Sequence, residues 1–291
     1  MIKKGYAWAN GAASILNAIA TWKGSAFGID LKTRAEVELD NSRCIKGVVP
    51  GVVPKVNPML IEHCVELVLK RLGYVYGGTV RTYSEIPVAS GLKSSSTVAN
   101  AVVLATLDAL DEEMDHISAA KIGVDAAKDV GVTVTGALDD ALASMLGGVV
   151  LTDNRKMQLI RREEFHRHVM LLVPDQKLFS KDTNVGASKV IAPLADVAFE
   201  LAEHGDYGRA MTLNGFAYSV ALGLPTMPLI EALKAGAEGV SLSGTGPAYA
   251  AIIDEDKMDK LEAAWGVLGG RVIRTKTNNR SASKGQDING A

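Results

Sequence analysis

Residues 87–97 read PVASGLKSSST, and VANAVVLATLDAL follows at 98–110. The order is a strand, a glycine loop, a hydroxyl-rich helix start and an apolar helix. A helix N-terminus leaves its first backbone N–H groups unpaired and carries the positive end of the helix dipole. Gly91, just before it, lets an anion come close to the backbone, and the result is a phosphate cradle. Ser94, Ser95, Ser96 and Thr97 add hydroxyls for phosphate oxygens or a Mg²⁺ ion, and Lys93 adds a positive charge at the rim. The same string also reads as an ordinary serine N-cap after a loop.

The flanking pattern is mixed α and β. Residues 2–9 read as a first strand, and 28–39 as a half-buried second one with Ile29, Leu31, Thr33, Ala35, Val37 and Leu39 on one face. A Gly/Pro/Val loop over 47–58 leads into a helix, with Asn57 as cap, Pro58 at the first position and Gly73 as stop. The apolar stripe of that helix is Met59, Leu60, Cys64, Leu67 and Val68. A strand over 78–84 precedes the cradle, and helices over 94–110, 115–129 and 137–146 follow it before a strand at 148–151. The second half reads as strands near 157–161 and 168–173 and helices near 188–204, 207–222 and 226–235. Strands at 239–243 and 248–253, a helix at 256–267 and a strand at 271–276 follow. Residues 277–291 read as a weakly ordered polar tail. These elements predict an α+β chain of two lobes, 1–160 and 161–291.

Composition narrows the function. Lys+Arg is 31 against 33 Asp+Glu, a net charge of −2, so no basic field exists to hold nucleic acid or an anionic membrane. No apolar run approaches the ~20 residues that cross a bilayer, and Asn10, Gly11 and Asn17 interrupt the stretch that mimics a secretory signal. Cys44 and Cys64 are isolated, which argues against structural zinc and for a cytoplasmic protein. His166 and His168 lie two apart and read as an exposed basic strand, with Arg161, Arg162 and Arg167 as solvated surface.

Every fixed position of P-x-x-x-G-L-x-S-S-[AS] is present in 87–96, and the string resembles the ATP-binding signature of the GHMP kinases. SLSGTGPAYA at 241–250, with Gly244 and Gly246 around Thr245, is similar to that superfamily's second glycine motif. GALDDALASMLGG at 136–148 resembles the segment that carries a catalytic aspartate in several members. The resemblance implies a two-lobed fold, with an N-terminal lobe like domain 2 of ribosomal protein S5 and a ferredoxin-like C-terminal lobe. It implies ATP held by Pro87, Val88, Ala89, Ser90, Gly91, Leu92, Lys93, Ser94, Ser95, Ser96, Thr97, Gly244, Thr245 and Gly246. By the interval to Gly147 it implies Asp140 as the catalytic aspartate, with its neighbour Asp139 as the alternative; a plain capping role is open to both. It also implies Mg²⁺ on Ser95 and a carboxylate about ten residues before the aspartate, at Asp129 or one turn earlier at Asp125; both also read as a solvated helix face.

The first forty residues would line the acceptor pocket. GYAWANGAASILNAIATWKGSAFGIDLK at 5–32 resembles the archaeal shikimate kinases, a GHMP group, with Trp22 standing where a small residue is expected. That resemblance implies shikimate as the acceptor, and Asn10, Asn17 and Lys23, with Arg81 as a further candidate, as partners for its hydroxyls and carboxylate. Other GHMP kinases, homoserine kinase among them, mevalonate diphosphate decarboxylase and non-catalytic sugar sensors are the alternatives.

Overall fold

The computed structural model describes residues 2–50, 57–87, 90–133, 135–175 and 185–285. The chain opens with two long antiparallel strands, β1 (Lys3–Leu16) and β2 (Lys23–Asp40). β3 (Ile45–Val48), helix α1 (Met59–Leu72) and β4 (Gly77–Ser84) come next. Helices α2 (Ser94–Leu110), α3 (His116–Asp129) and α4 (Leu138–Leu146) follow, then β5 (Val149–Asp153) and β6 (Gln158–Glu163). These strands form one sheet in the order β1-β2-β4-β3, while β5 pairs with the first part of β2 and carries β6. β2 can serve two partners on the edge away from β1 because it is 18 residues long: Lys23–Phe27 faces β5 and Thr33–Asp40 faces β4.

The second sheet, in the order β10-β7-β9-β8, is built from β7 (His168–Val173), β8 (Gly239–Leu242), β9 (Tyr249–Ile253) and β10 (Arg271–Lys276). Its helices are α5 (Val185–Ser188), α6 (Ala192–Glu203), α7 (Tyr207–Ala221), α8 (Met227–Ala235) and α9 (Met258–Gly266). The α+β, two-lobed architecture read from the pattern is the one observed. The lobes are not separate cores. Ile15, Phe27, Leu92 and Leu151 of the first pack in one cluster with Val169, Leu171, Phe199 and Met211 of the second. Aromatics are 5% of the chain, and alanine, valine and leucine fill most of the core.

Several expectations are corrected. The first strand runs to Leu16, seven residues past the reading, because buried alanines replace alternation there. Met59 is exposed, and Ile61, Cys64, Val65, Val68 and Leu69 form the buried stripe of α1. Residues 277–285 are no loose tail. They cross back to the first lobe, where Asn278 N–H donates to the Gly28 carbonyl (2.8 Å) and Ala282 N–H to that of Met145 (2.7 Å). There β11 (Ser283–Lys284) joins β1. Arg161 and Arg162 are not idle surface charges. Arg161 donates to the Ala202 and Glu203 carbonyls at the end of α6, and Arg162 to those of Leu146, Gly147 and Asn279. Arg167 pairs with Glu238 at 2.8 Å.

Candidate active site

The Gly91 loop runs directly into the start of α2, and it is braced from the other lobe. α2 begins at Ser94 with no side-chain cap, so the N–H groups of its first turn are open to an anion. Ser95 is exposed, with Ser94 and Ser96 half-buried beside it. Gly91 (φ +85°) touches the second glycine motif, and a Cβ there would lie 2.2 Å from the Ser243 carbonyl oxygen, so no side chain fits. Ser243 Oγ donates to the Gly91 carbonyl (2.9 Å), Ala248 N–H to that of Ser90 (2.9 Å), and Gly244 N–H to Ser14 Oγ (3.0 Å). Gly244, Thr245 and Gly246 are thus fastened against Ser90–Gly91, and the Gly244 amide is already engaged by the protein. Ser90 Oγ donates to the Pro87 carbonyl at 2.7 Å. Leu92 is fully buried. Val88 and Ala89 lie outside the described residues.

Two residues of the string stand elsewhere than expected. Lys93 is not at a rim: its side chain is only 5% exposed, and its Nζ lies 2.8 Å from Asp140 Oδ1. The left-handed backbone at Lys93 (φ +63°) turns the chain into the helix and the side chain inward. Thr97 is fully buried, and its hydroxyl donates to the carbonyls of Asn10 (3.1 Å) and Lys93 (3.0 Å).

Asp139 and Asp140, both in the first turn of α4, face different surroundings. Asp140 is 15% exposed, and its Oδ1 is paired with the Lys93 ammonium, which leaves one lone pair of that oxygen unused. That oxygen retains acceptor capacity for a hydroxyl. Asp139 is 3% exposed and accepts a hydrogen bond from Asn154 Nδ2 (2.8 Å). Burial, with Asp140 adding to it, pushes the Asp139 carboxyl up to about 7, against the opposing pull of Lys93 and Asn154. Gly24 lies flat on Asp139, since a Cβ there would sit 2.6 Å from its Cγ.

The β1–β2 loop, residues 17–22, reaches this place and is held by the second lobe. Asn17 N–H donates to Asn214 Oδ1 (2.9 Å), Tyr218 OH donates to the Asn17 carbonyl (2.9 Å), and Ala20 N–H donates to Tyr218 OH (3.0 Å). The Asn17 side-chain amide nitrogen is buried with no partner among the described residues. Trp22 takes a left-handed backbone (φ +68°), with the Arg155 guanidinium 5.8 Å from its ring. Lys23 is exposed, 3.4 Å from Asp196 and over the Phe199 ring. Asn10 is spent on structure: Nδ2 donates to the Arg280 carbonyl (2.8 Å), and Oδ1 accepts from Asn278 (2.9 Å). Arg81 stands 3.9 Å from Glu38. Asn154, Asn214 and Tyr218 were not singled out in the sequence, where Tyr218 resembles core and Asn154 a turn residue.

Asp129 at the end of α3 is 58% exposed, with its carboxylate 2.8 Å from His63 Nε2; Asp125 is exposed one turn earlier. Among the described residues no group of three or more His, Cys, Asp or Glu converges on a metal position, the His166 and His168 strand included.

The family comparisons agree with this architecture. The GHMP kinases N terminal domain matches residues 59–148, and the GHMP kinases C terminal domain matches 198–267. A homoserine kinase from Cytophaga hutchinsonii superposes with a TM-score of 0.76 at 16% identity, over 97% of each chain. The Methanococcus jannaschii mevalonate kinase gives 0.75 at 16%, over 96% of this chain and 98% of that one. The fold is therefore that of a GHMP kinase. A Methanothrix thermoacetophila protein named shikimate kinase is 57% identical over 283 residues, 97% of each chain. A Halobacterium salinarum protein of the same name is 48% identical over 276 residues, 94% of this chain and 96% of that one. The chain belongs to the GHMP kinase superfamily and, within it, to the archaeal-type shikimate kinases.

Proposed function

We propose that the protein transfers the γ-phosphoryl group of ATP to a ring hydroxyl of shikimate, giving shikimate 3-phosphate for chorismate and aromatic amino acid biosynthesis. The observation that carries the reading is the Lys93–Asp140 pair, 2.8 Å apart, beside the uncapped start of α2. The full-length identity to relatives named shikimate kinase supports the choice of acceptor.

In this reading the open N–H groups of Ser94, Ser95 and Ser96 receive the phosphates, and the helix dipole offsets their charge. Asp140 accepts the proton of the attacking hydroxyl or orients it, while the Lys93 ammonium sits where negative charge develops on the transferring group. Asp139, walled in by Gly24 and Asn154, stays out of the reaction. The orphan Asn17 amide is a ready donor for an acceptor oxygen.

Magnesium fits this donor set in one way. Mg²⁺ keeps waters and takes one or two protein oxygens besides the phosphates, and the exposed Ser95 hydroxyl is such an oxygen. Asp129 is engaged with His63, so the proposal leaves the ion on Ser95 and the nucleotide. When bound, the ion would neutralise phosphate charge. No helix among the described residues is long and apolar enough to cross a membrane, and the two free cysteines fit a cytoplasmic site of action.

The test is ADP release by the purified protein with shikimate, homoserine and mevalonate offered separately. Turnover with shikimate is expected. Turnover with homoserine or mevalonate alone would make it a different GHMP kinase, and none with any would favour a non-catalytic sensor.

A further inference from the structure

We propose that Asn154 is a positioning residue that sets the β1–β2 loop against the helix presenting Asp140, and so fixes where the acceptor sits. The inference rests on the reading above, in which that loop lines the acceptor pocket.

Asn154 follows β5 directly and is 2% exposed. Its backbone N–H, Nδ2 and Oδ1 each have a partner. Its backbone N–H donates to the Trp22 carbonyl at 2.8 Å, which fixes the end of the loop. Its Nδ2 donates to Asp139 Oδ1 at 2.8 Å, which fixes the first turn of α4. Its Oδ1 accepts from Thr152 Oγ1 at 2.7 Å. An ionised Asp139 carboxylate only accepts, which turns the amide NH₂ toward it and leaves Oδ1 to accept from the Thr152 hydroxyl. Thr152 Oγ1 also lies 3.4 Å from the Gly24 carbonyl, so the same hydroxyl touches the strand that leaves the loop.

Loop and aspartate helix are therefore tied through one residue, the loop by its backbone N–H and the helix by its side-chain amide. Gly24 rests on the Asp139 carboxyl, and Asp140 is the next residue. In the reading above the acceptor hydroxyl reaches Asp140 from the side of the β1–β2 loop, so a slackened Asn154 contact moves its pocket. The ATP cradle, braced by Ser14 and Ser243 elsewhere, stays in place.

The test compares Asn154→Ala, Asn154→Asp and wild type in steady-state kinetics with both substrates varied. For Asn154→Ala the acceptor KM rises about tenfold or more and the ATP KM stays within twofold, as expected when one hydrogen bond to a carboxyl group is lost. Asn154→Asp brings two carboxyl groups together. At low pH a shared proton restores the contact and the acceptor KM recovers; at high pH the charges repel and it climbs. An unchanged acceptor KM, an ATP KM that rises in parallel, or a flat pH profile for Asn154→Asp overturns the proposal.

Should Asn154→Ala fail to fold, Thr152→Val keeps the volume and frees the amide; a rise of about two- to fivefold in acceptor KM alone is then expected, and no rise contradicts the role. The reading of function is judged separately, by wild-type turnover with shikimate. If a different acceptor is used, the same ratios are measured with that one. If none is, amide exchange decides: faster exchange at 17–24 in the variant with α2 unchanged supports the tie, and unaltered exchange at 17–24 refutes it.

Discussion

Asp139 and Asp140 are adjacent in sequence and opposite in situation. The interval to Gly147 points to Asp140 and keeps Asp139 as the alternative, because spacing does not orient a helix. The glycine at 24 and the lysine at 93 separate them: one aspartate is sealed against backbone, the other faces the cradle. Asp140→Asn keeps the shape and removes the base, and a kcat lower by roughly 10²–10⁴ is expected; near-normal kcat would remove Asp140 from the chemistry. Lys93→Met strands a largely buried carboxylate, and breaking such a pair costs about 3–5 kcal/mol, read by urea unfolding. Asp139 gives a pH signature. Its proton is held more tightly folded (about 7) than unfolded (3.8), so the native state binds more protons between those values. Its contribution is present below about pH 4 and lost as pH rises through about 7. Relative to wild type, Asp139→Asn gains stability over that window, by a few kcal/mol at most on the scale of about 1.4 kcal/mol per pKa unit. Unfolding curves at pH 4 and pH 8 check the sign.

Helices and short strands were legible as elements because their periodicity and stops are local. α2, β7 and β10 have the expected bounds, and Gly73 ends α1 in a left-handed turn (φ +78°). Elements defined by distant partners were not. β1 outruns its alternation because helices and the second lobe bury both its faces, and 277–285 is polar in sequence yet ordered by backbone bonds to Gly28, Gly148 and Met145. That return strand predicts a mutational effect. Ala282 is 2% exposed in the first-lobe core, so Ala282→Asp buries an unpaired charge and lowers stability by about 3 kcal/mol or more, seen as a lower Tm. The two glycine motifs lock through Gly91, where Gly91→Ala meets both the left-handed backbone and the Ser243 carbonyl. It is expected to raise the ATP KM and lower Tm together, measured on one preparation.

At the scale of the whole molecule, the near-neutral charge of −2 and the anion chemistry are compatible because the positive potential is local. It comes from the start of α2 and from one inward lysine, with no basic face required. The lobes share the cluster of Phe27, Leu92, Leu171 and Met211, and second-lobe side chains brace the Gly91 loop through Ser243 and the β1–β2 loop through Asn214 and Tyr218. Local sequence could name the cradle and the aspartate pair. It could not name Asn154, Asn214 or Tyr218, whose partners are remote in the chain. The most direct measurement is transfer of ³²P from [γ-³²P]ATP to shikimate by wild type and Asp140→Asn side by side. Labelled shikimate 3-phosphate from the wild type, with transfer reduced roughly 10²–10⁴ in the variant, is the expected result. No label on shikimate while another hydroxyl acceptor is labelled, or equal transfer by both proteins, would contradict it.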